Sequence, residues 1–292
     1  MSVYGAQHGP KGILPQLPLE LVHLVATYAD QPTLKQLCLV NSVVRDVAAS
    51  HLYTDVRVAK PPSVVRCLRT MSEHPELAKH THVFTIHLVV KFGRCLTDAF
   101  GRLLRRALRN MPHLVSLELE LYEDALGRYL RGCPFRITNL SLRCAWDNDL
   151  AAWLGEQPAI LRFIFHDHPR SSISLAPSAL PKLQSIYATP AVISVVAPGR
   201  PVKQVFVVAY TRDVFSERTV ERMARSCMLS TGPVSAVYVM MQGARIHPEE
   251  TFNILSFIPL HLPGLVKLSM QADSYALDEV TFTSSFWERN LT

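Results

Sequence analysis

The 292-residue sequence predicts an α/β chain: a three-helix N-terminal segment leading into an irregular solenoid of short parallel strands. Three observations carry that prediction. Residues 17–58, LPLELVHLVATYADQPTLKQLCLVNSVVRDVAASHLYTDVRV, hold three helix start signals in close succession. From Val83 onward a short apolar pattern recurs at steps of 19–32 residues. The composition, 48% apolar and 18% charged, is that of a chain able to bury a core. The expected organisation is a loose arm over 1–16, the helical segment over 17–58 and the repeat domain over 59–292.

The helical segment is read from its punctuation. Pro18 suits a first helical position, where its missing N–H would have had no partner. The first helix should run to about Ala29, because Asp30-Gln31-Pro32 follows and a residue before proline avoids the helical region. Thr33 with Gln36 has capping-box spacing, which predicts a second helix over Thr33–Leu39. Ser42 can cap a third, to about Leu52. The apolar residues exceed one stripe: Leu21, Val25 and Tyr28 share a face, while Val22 and Leu24 lie off it. A bundle this small cannot bury them all. Part of that surface is expected to meet a partner or the following domain.

An ordered set of these residues carries a resemblance. It comprises Leu17-Pro18-x-Glu20-Leu21, Val25, Leu37-x-Leu39-Val40-Asn41-x-x-x-Arg45, Ala48 and Leu52-Tyr53. The segment resembles an F-box, of the kind seen in fungal F-box proteins. The resemblance implies docking on the Skp adaptor of a cullin–RING ubiquitin ligase. On that basis Leu17, Pro18, Leu21, Val22, Val25, Leu37, Val40 and Arg45 are the expected docking residues. The alternative is a helical cap on the larger domain.

The repeat is an apolar residue, two of any kind, an apolar residue, one of any kind, and a third apolar place. It fits Val83-x-x-Ile86-x-Leu88, Leu114-x-x-Leu117-x-Leu119 and Ile137-x-x-Leu140-x-Leu142. Leu161-x-x-Ile164-x-His166 fits with a polar last place, and Leu183-x-x-Ile186-x-Ala188 and Val202-x-x-Val205-x-Val207 follow. Val234-x-x-Val237-x-Val239 and Leu265-x-x-Leu268-x-Met270 complete the set, with Tyr53-x-x-Val56-x-Val58 as the entering strand. Alternation at the last two places marks a strand with one buried face. The period is that of leucine-rich repeats, whose units bury their apolar faces by stacking.

Between the strands, helices are predicted over Ser63–Ser72, Thr97–Asn110, Asp147–Gln157, Ser216–Met228 and Pro248–Ile258. Six prolines between Pro169 and Pro201 leave only loops or single turns there. The asparagine or cysteine that leucine-rich repeats carry three places past the last apolar position is missing throughout. Irregular units follow from that, with the backbone between them satisfied by other groups. A different α/β fold with parallel strands would give the same alternation. Residues 284–291 read as the start of another repeat helix, either a terminal cap or the edge of an array that has lost repeats.

Charge and motifs narrow the function classes. A net charge of +6 favours acidic partners without marking a nucleic-acid protein. No basic segment is interleaved with aromatics in the way that stacks bases. The six cysteines form no CxxC pair and read as buried free thiols of a reducing compartment. No stretch approaches a membrane span and no signal-peptide core appears, so cytoplasm or nucleus is expected. GxSxG, GxGxxG and GK[ST] motifs are absent, and the acidic residues suggest no paired-carboxylate site. The expectation is a non-enzyme without cofactors. His80 and His82 alternate onto one side of an extended segment, as two ligands would, but no carboxylate or thiolate sits at a matching position nearby.

Two surfaces remain as candidates. Arg102, Arg105, Arg106 and Arg109 fall on one helix face, able to grip an acidic segment and equally consistent with a solvated outer side. The concave face would carry Phe163, Phe165, Tyr187, Phe206 and Tyr238, an aromatic composition suited to binding a target protein. The leading expectation is a substrate-receptor adaptor of a Skp–cullin–F-box ubiquitin ligase, binding no nucleic acid and no membrane. Its competitor is a repeat scaffold outside ubiquitin transfer, and the weakest is an α/β enzyme.

Overall fold

The computed structural model describes residues 17–88, 97–123, 126–167, 174–209, 216–241, 248–272 and 280–283. The expected arm over 1–16 and the helix expected over 284–291 lie outside them. The chain divides into two compact units, Met1–Thr54 and Asp55–Thr292. That boundary falls ahead of the one expected after Val58, because Asp55–Val58 is a strand of the second unit's sheet.

The first unit is three helices: α1 (Leu19–Tyr28), α2 (Gln31–Leu37) and α3 (Ser42–Leu52). Three helices are found as expected, but α2 starts at Gln31 rather than Thr33 and ends at Leu37 rather than Leu39, Pro18 is the residue before the first turn of α1, and two caps lie upstream of the expected residues. Asp30, not Thr33, caps α2, accepting the Thr33 N–H at 2.9 Å. Asn41, not Ser42, caps α3, accepting from Val44 N at 2.8 Å. A carboxylate or amide carbonyl at the extended residue before the first turn reaches an orphan N–H that a residue already inside the helix cannot. Val22, Ala26, Leu34, Val47 and Ala48 form the core, flanked by Ala29, Leu37, Cys38, Val44 and Leu52. At about 1.5–3 kcal/mol for each large side chain, three such residues give a modest core.

The second unit contains one sheet. Its strands are β1 (Asp55–Val58), β2 (Val83–His87), β3 (Ser116–Glu123), β4 (Asn139–Cys144), β5 (Arg162–Phe165), β6 (Ser185–Ala188), β7 (Gln204–Ala209), β8 (Ala236–Met241), β9 (Lys267–Ala272) and β10 (Val280–Thr283). They lie in chain order; β1–β9 are parallel and β10 is antiparallel to β9. The connections include α4 (Pro61–Glu73), α5 (Pro75–Ala78), α6 (Asp98–Arg109), α7 (Gly127–Leu130), α8 (Asn148–Gly155), α9 (Pro190–Val196), α10 (Glu217–Met228) and α11 (Pro248–His261). Thr97 caps α6 and Asp147 caps α8. Among the described residues the proline-rich stretch yields one helix, the seven-residue α9, about two turns where loops or single turns were expected; Pro190 is accommodated in its first turn.

One face of the sheet is the core. Phe84 and Ile86, Leu117 and Leu119, Leu140 and Leu142, Ile186 and Ala188, Val205 and Val207, and Val237 and Val239 are all essentially inaccessible. The register overturns one expectation: Phe163 pairs with Leu140 and Ile186, and Phe165 with Leu142. Both phenylalanines therefore point into the core, where Trp146 meets their rings edge-on at 6.3 and 5.3 Å. The expected motif at Leu161 was one residue out, and a one-residue slip exchanges the two faces of a strand. Ile160 occupies the buried first place instead. Register likewise aligns Phe84 and Ile86, rather than Ile86 and Leu88, with Leu117 and Leu119.

The backbone between successive strands is satisfied in two ways. At each unit entrance one carbonyl accepts two N–H groups from the next unit. His82 O takes Val115 and Ser116, Val115 O takes Thr138 and Asn139, Thr138 O takes Leu161 and Arg162, and Leu161 O takes Gln184 and Ser185. Gln184, Lys203 and Ser235 continue the column. Long side chains then close the loops. The fully buried Arg200 donates from Nε to Ala179 O at 2.8 Å, from Nη1 to Pro198 O at 2.7 Å and from Nη2 to Ala176 O at 2.7 Å. Those bonds hold buried Leu180 at φ 55°, a conformation that disfavours non-glycine residues. Asn110 Nδ2 donates to Met71 O at 2.9 Å, linking α6 to α4.

Candidate functional site

In the first unit, apolar side chains remain outside the core. Leu17 is 66% exposed, Val25 54% and Val40 62%; Leu21, Leu24, Tyr28, Leu39 and Val43 are exposed as well. Of the expected docking residues, Leu17, Pro18, Leu21, Val25, Val40 and Arg45 are therefore accessible. Val22 is not: it is 8% exposed and belongs to the unit's core, where its side chain is turned away from any partner. Leu37 is half-buried against the same core. Sequence periodicity could not separate Val22 from Val25, because which flank of an over-apolar helix turns inward depends on α2 and α3.

In the second unit, the sheet face opposite the core carries three cross-strand rows. One runs Asp55, Val83, Ser116, Asn139, Arg162, Ser185, Gln204, Ala236 and Lys267. The next runs Arg57, Thr85, Glu118, Ser141, Ile164, Tyr187, Phe206, Tyr238 and Ser269. The third contains His87, Glu120 and Arg143. The face is thus charged over β1–β4 and aromatic over β6–β8.

Over β1–β4 its charges pair among themselves. Arg57 Nη2 donates to Asp55 at 2.8 Å. His87 lies between two carboxylates, Nε2 at 3.4 Å from Glu118 Oε1 and Nδ1 at 3.4 Å from Glu120 Oε2. Arg143 and His166 reach Glu120 at 3.7 and 3.8 Å. Burial, reinforced by Arg143, holds the His166 imidazole below its usual pKa, against the pull of Glu120 and Glu118. Sequence reasoning missed these carboxylates because they come from the neighbouring strand; the signal was the alternation Glu118-x-Glu120. His87, Glu118 and Glu120 place one ligand atom each within 4.8 Å of one another. The two carboxylates face different ring nitrogens of the one imidazole. His80 and His82 do not form a ligand pair: His82 Nδ1 is held at 2.8 Å from His80 O, and its ring stacks on His113.

The aromatic half is a ladder. His166 and Tyr187 rings are 5.3 Å apart, Tyr187 and Phe206 6.3 Å, and Phe206 and Tyr238 stack at 4.5 Å and 8°. Lys267 Nζ caps it, 5.1 Å from the Tyr238 ring. Tyr187, Phe206 and Tyr238 are half-buried on this face, as expected, whereas Phe163 and Phe165 are not part of it. Stacked in register on parallel strands, the rings both support the sheet and present their edges outward.

The remaining residue groups stand apart from this face. Arg102, Arg106 and Arg109 are exposed on α6, and Arg105 is half-buried with an unpartnered Nε. Burial raises the Cys67 and Cys133 thiols to about 11 and Cys227 to about 12. Such thiols are poor nucleophiles at neutral pH. Among the described residues no helix is long and apolar enough to cross a membrane.

The chain is thus an α/β protein with a sequentially ordered parallel sheet and a separate three-helix unit. No protein-family model matches it, and no curated protein matches its sequence.

Proposed function

We propose that the chain is a non-enzymatic substrate-receptor adaptor of a Skp–cullin–F-box ubiquitin ligase, working in the cytoplasm or nucleus. In this reading the three-helix unit is an F-box docking the Skp adaptor. The second unit is an irregular leucine-rich-repeat-like solenoid presenting a target protein on its exposed sheet face. The observation that carries the reading is the split within the helical unit. Val22, Ala26, Leu34, Val47 and Ala48 close a core, while Leu17, Leu21, Val25 and Val40, which match the F-box pattern, stay outside it. Apolar side chains left exposed together are the composition of a partner surface. The one-strand units, joined by the carbonyl column, support the repeat reading.

Co-expression with a Skp adaptor tests the proposal. The two proteins should co-purify in equimolar amount, and Leu17→Ala with Pro18→Ala should weaken the complex at least tenfold without loss of helicity. Failure to co-purify, or a complex indifferent to that double substitution, overturns the proposal in favour of a scaffold outside ubiquitin transfer.

A further inference from the structure

On the exposed sheet face a cavity of about 300 Å³ opens over β3–β5, lined by Ser116, Glu118, Asn139, Ser141, Arg162 and Ile164 among others. Its polar groups are unevenly satisfied. Glu118 is occupied on its far side, by His87 through Oε1 and by the Thr85 hydroxyl at 3.4 Å through Oε2. Asn139 Nδ2 donates to Thr138 Oγ1 at 3.2 Å. Ser141 is 7% exposed, lines the cavity, and its hydroxyl has no hydrogen-bond partner. An orphaned buried hydroxyl costs free energy that the unliganded fold does not recover. Arg162 is exposed, and among the described residues it is the charge on this face with neither an opposite charge nor a ring against it. The other charges there have partners: Arg57 has Asp55, Arg143 has Glu120, Glu118 has the His87 ring and the Thr85 hydroxyl, and Lys267 has the Tyr238 ring.

A guanidinium and a buried hydroxyl without acceptors, in one small cavity, lack an acceptor with negative charge. The geometry points to a carboxylate subsite: we infer that the cavity takes the side chain of an aspartate or glutamate from a target protein segment lying across β3–β8. The inference rests on the proposed role of this face in presenting a target. Arg162 forms the ion pair, Ser141 donates to a carboxylate oxygen, and Ile164 forms the apolar wall. A monoanion fits better than a phosphate. Arg162 is the one cation in the lining and Glu118 stands in the wall, so the second charge of a dianion would have no cation to meet and would add to the repulsion from Glu118. Adjacent strands are ~4.8 Å apart, so the Tyr187–Phe206–Tyr238 ladder begins within ~10 Å of Arg162. An extended segment, at ~3.3 Å per residue, would place an apolar residue on the ladder about three residues from the acidic one.

The test is selection of random twelve-residue peptides displayed on phage against the full-length chain, repeated on Arg162→Gln and Arg162→Glu. Aspartate or glutamate at one fixed position, with an aromatic or aliphatic residue about three places away, is expected on the wild type. The acidic preference should vanish with Arg162→Gln and turn to lysine or arginine with Arg162→Glu. A synthetic copy of the selected peptide should bind at least tenfold more weakly when its acidic residue becomes the amide. Ser141→Ala should weaken it about threefold or more while leaving the melting temperature unchanged or higher, since the hydroxyl makes no bond in the free protein. Amidating the peptide's C-terminus should change nothing; a loss there would assign the site to a terminal carboxylate and overturn the side-chain assignment. Peptides without an acidic position, no enriched peptides, or tighter binding of a phosphoserine peptide than of its glutamate counterpart would each overturn the inference. Peptides that bind through the ladder alone would sink the subsite but leave the target face standing. Loss of Skp-adaptor binding with acidic selection intact would sink the ligase reading and leave the subsite.

Discussion

Phe163→Ala should be one of the most damaging single substitutions in the sheet, and its neighbour Ile164→Ala one of the mildest. Phe163 is fully buried, with its ring 6.0 Å from Phe165 and edge-on to Trp146 at 6.3 Å. A buried aromatic withdraws ~150–250 Å² from water, and at ~25 cal/mol/Å² that is about 4–6 kcal/mol as an upper bound. Measured losses for buried Phe→Ala substitutions run ~3–5 kcal/mol, cavity included, so about 4 kcal/mol is expected. Ile164 is half-exposed on the opposite face, and its truncation should cost about 1 kcal/mol. Urea unfolding followed by tryptophan fluorescence suits the comparison, because Trp146 touches Phe163. If Ile164→Ala costs as much as Phe163→Ala, β5 has the other register and the facing of this strand is wrong.

Other expectations follow from single contacts. Val22→Asp should unfold the helical unit and abolish adaptor binding, whereas Val25→Asp should abolish binding with the far-ultraviolet circular dichroism unchanged; equal loss of helicity in both would erase the distinction drawn between them. Gly127→Ala should destabilise by ~1–3 kcal/mol or more, because a Cβ there would lie 2.1 Å from Leu150 N, a backbone atom that cannot step aside; a thermal shift under one degree would refute the close approach. His166 stays neutral in the fold with its pKa below the ordinary 6.5, so the unfolded chain binds more protons there. Its contribution to stability is full above pH 6.5 and falls as pH drops through the depressed folded value. His166→Asn should therefore lose less stability than wild type between pH 7 and 5, and superimposable pH curves would contradict that account.

Much of the fold was legible because its signals are local. Proline positions, capping residues and the alternation in each strand located the three N-terminal helices, the strands from β1 to β9 and most of the helices between them. Caps were misplaced by a few residues at α2 and α3, where competing polar residues stand in a row and only backbone conformation decides which one reaches an N–H. In the proline-rich stretch between β5 and β7 a long helix is absent among the described residues, but α9 makes about two turns where single turns were expected, because Pro190 falls at its start, where a missing N–H costs nothing.

Facing and pairing were decided elsewhere. In β5 the run Leu161-Arg162-Phe163-Ile164-Phe165 offers apolar residues to both sides, so alternation alone cannot say which set is buried. The neighbouring strands settle it, through Leu140 opposite Phe163 and the carbonyl column that takes in Leu161. Val22 and Val25 posed the same ambiguity on a helix. The bridge of His87 with Glu118 and Glu120, and the cavity joining Ser141 to Arg162, combine residues from different strands whose spacing in the chain follows loop length. By itself the sequence determined what each segment would become, because propensity and capping act within a few residues. Only the tertiary structure decided which side chains meet, because register is fixed by the shape of the neighbour.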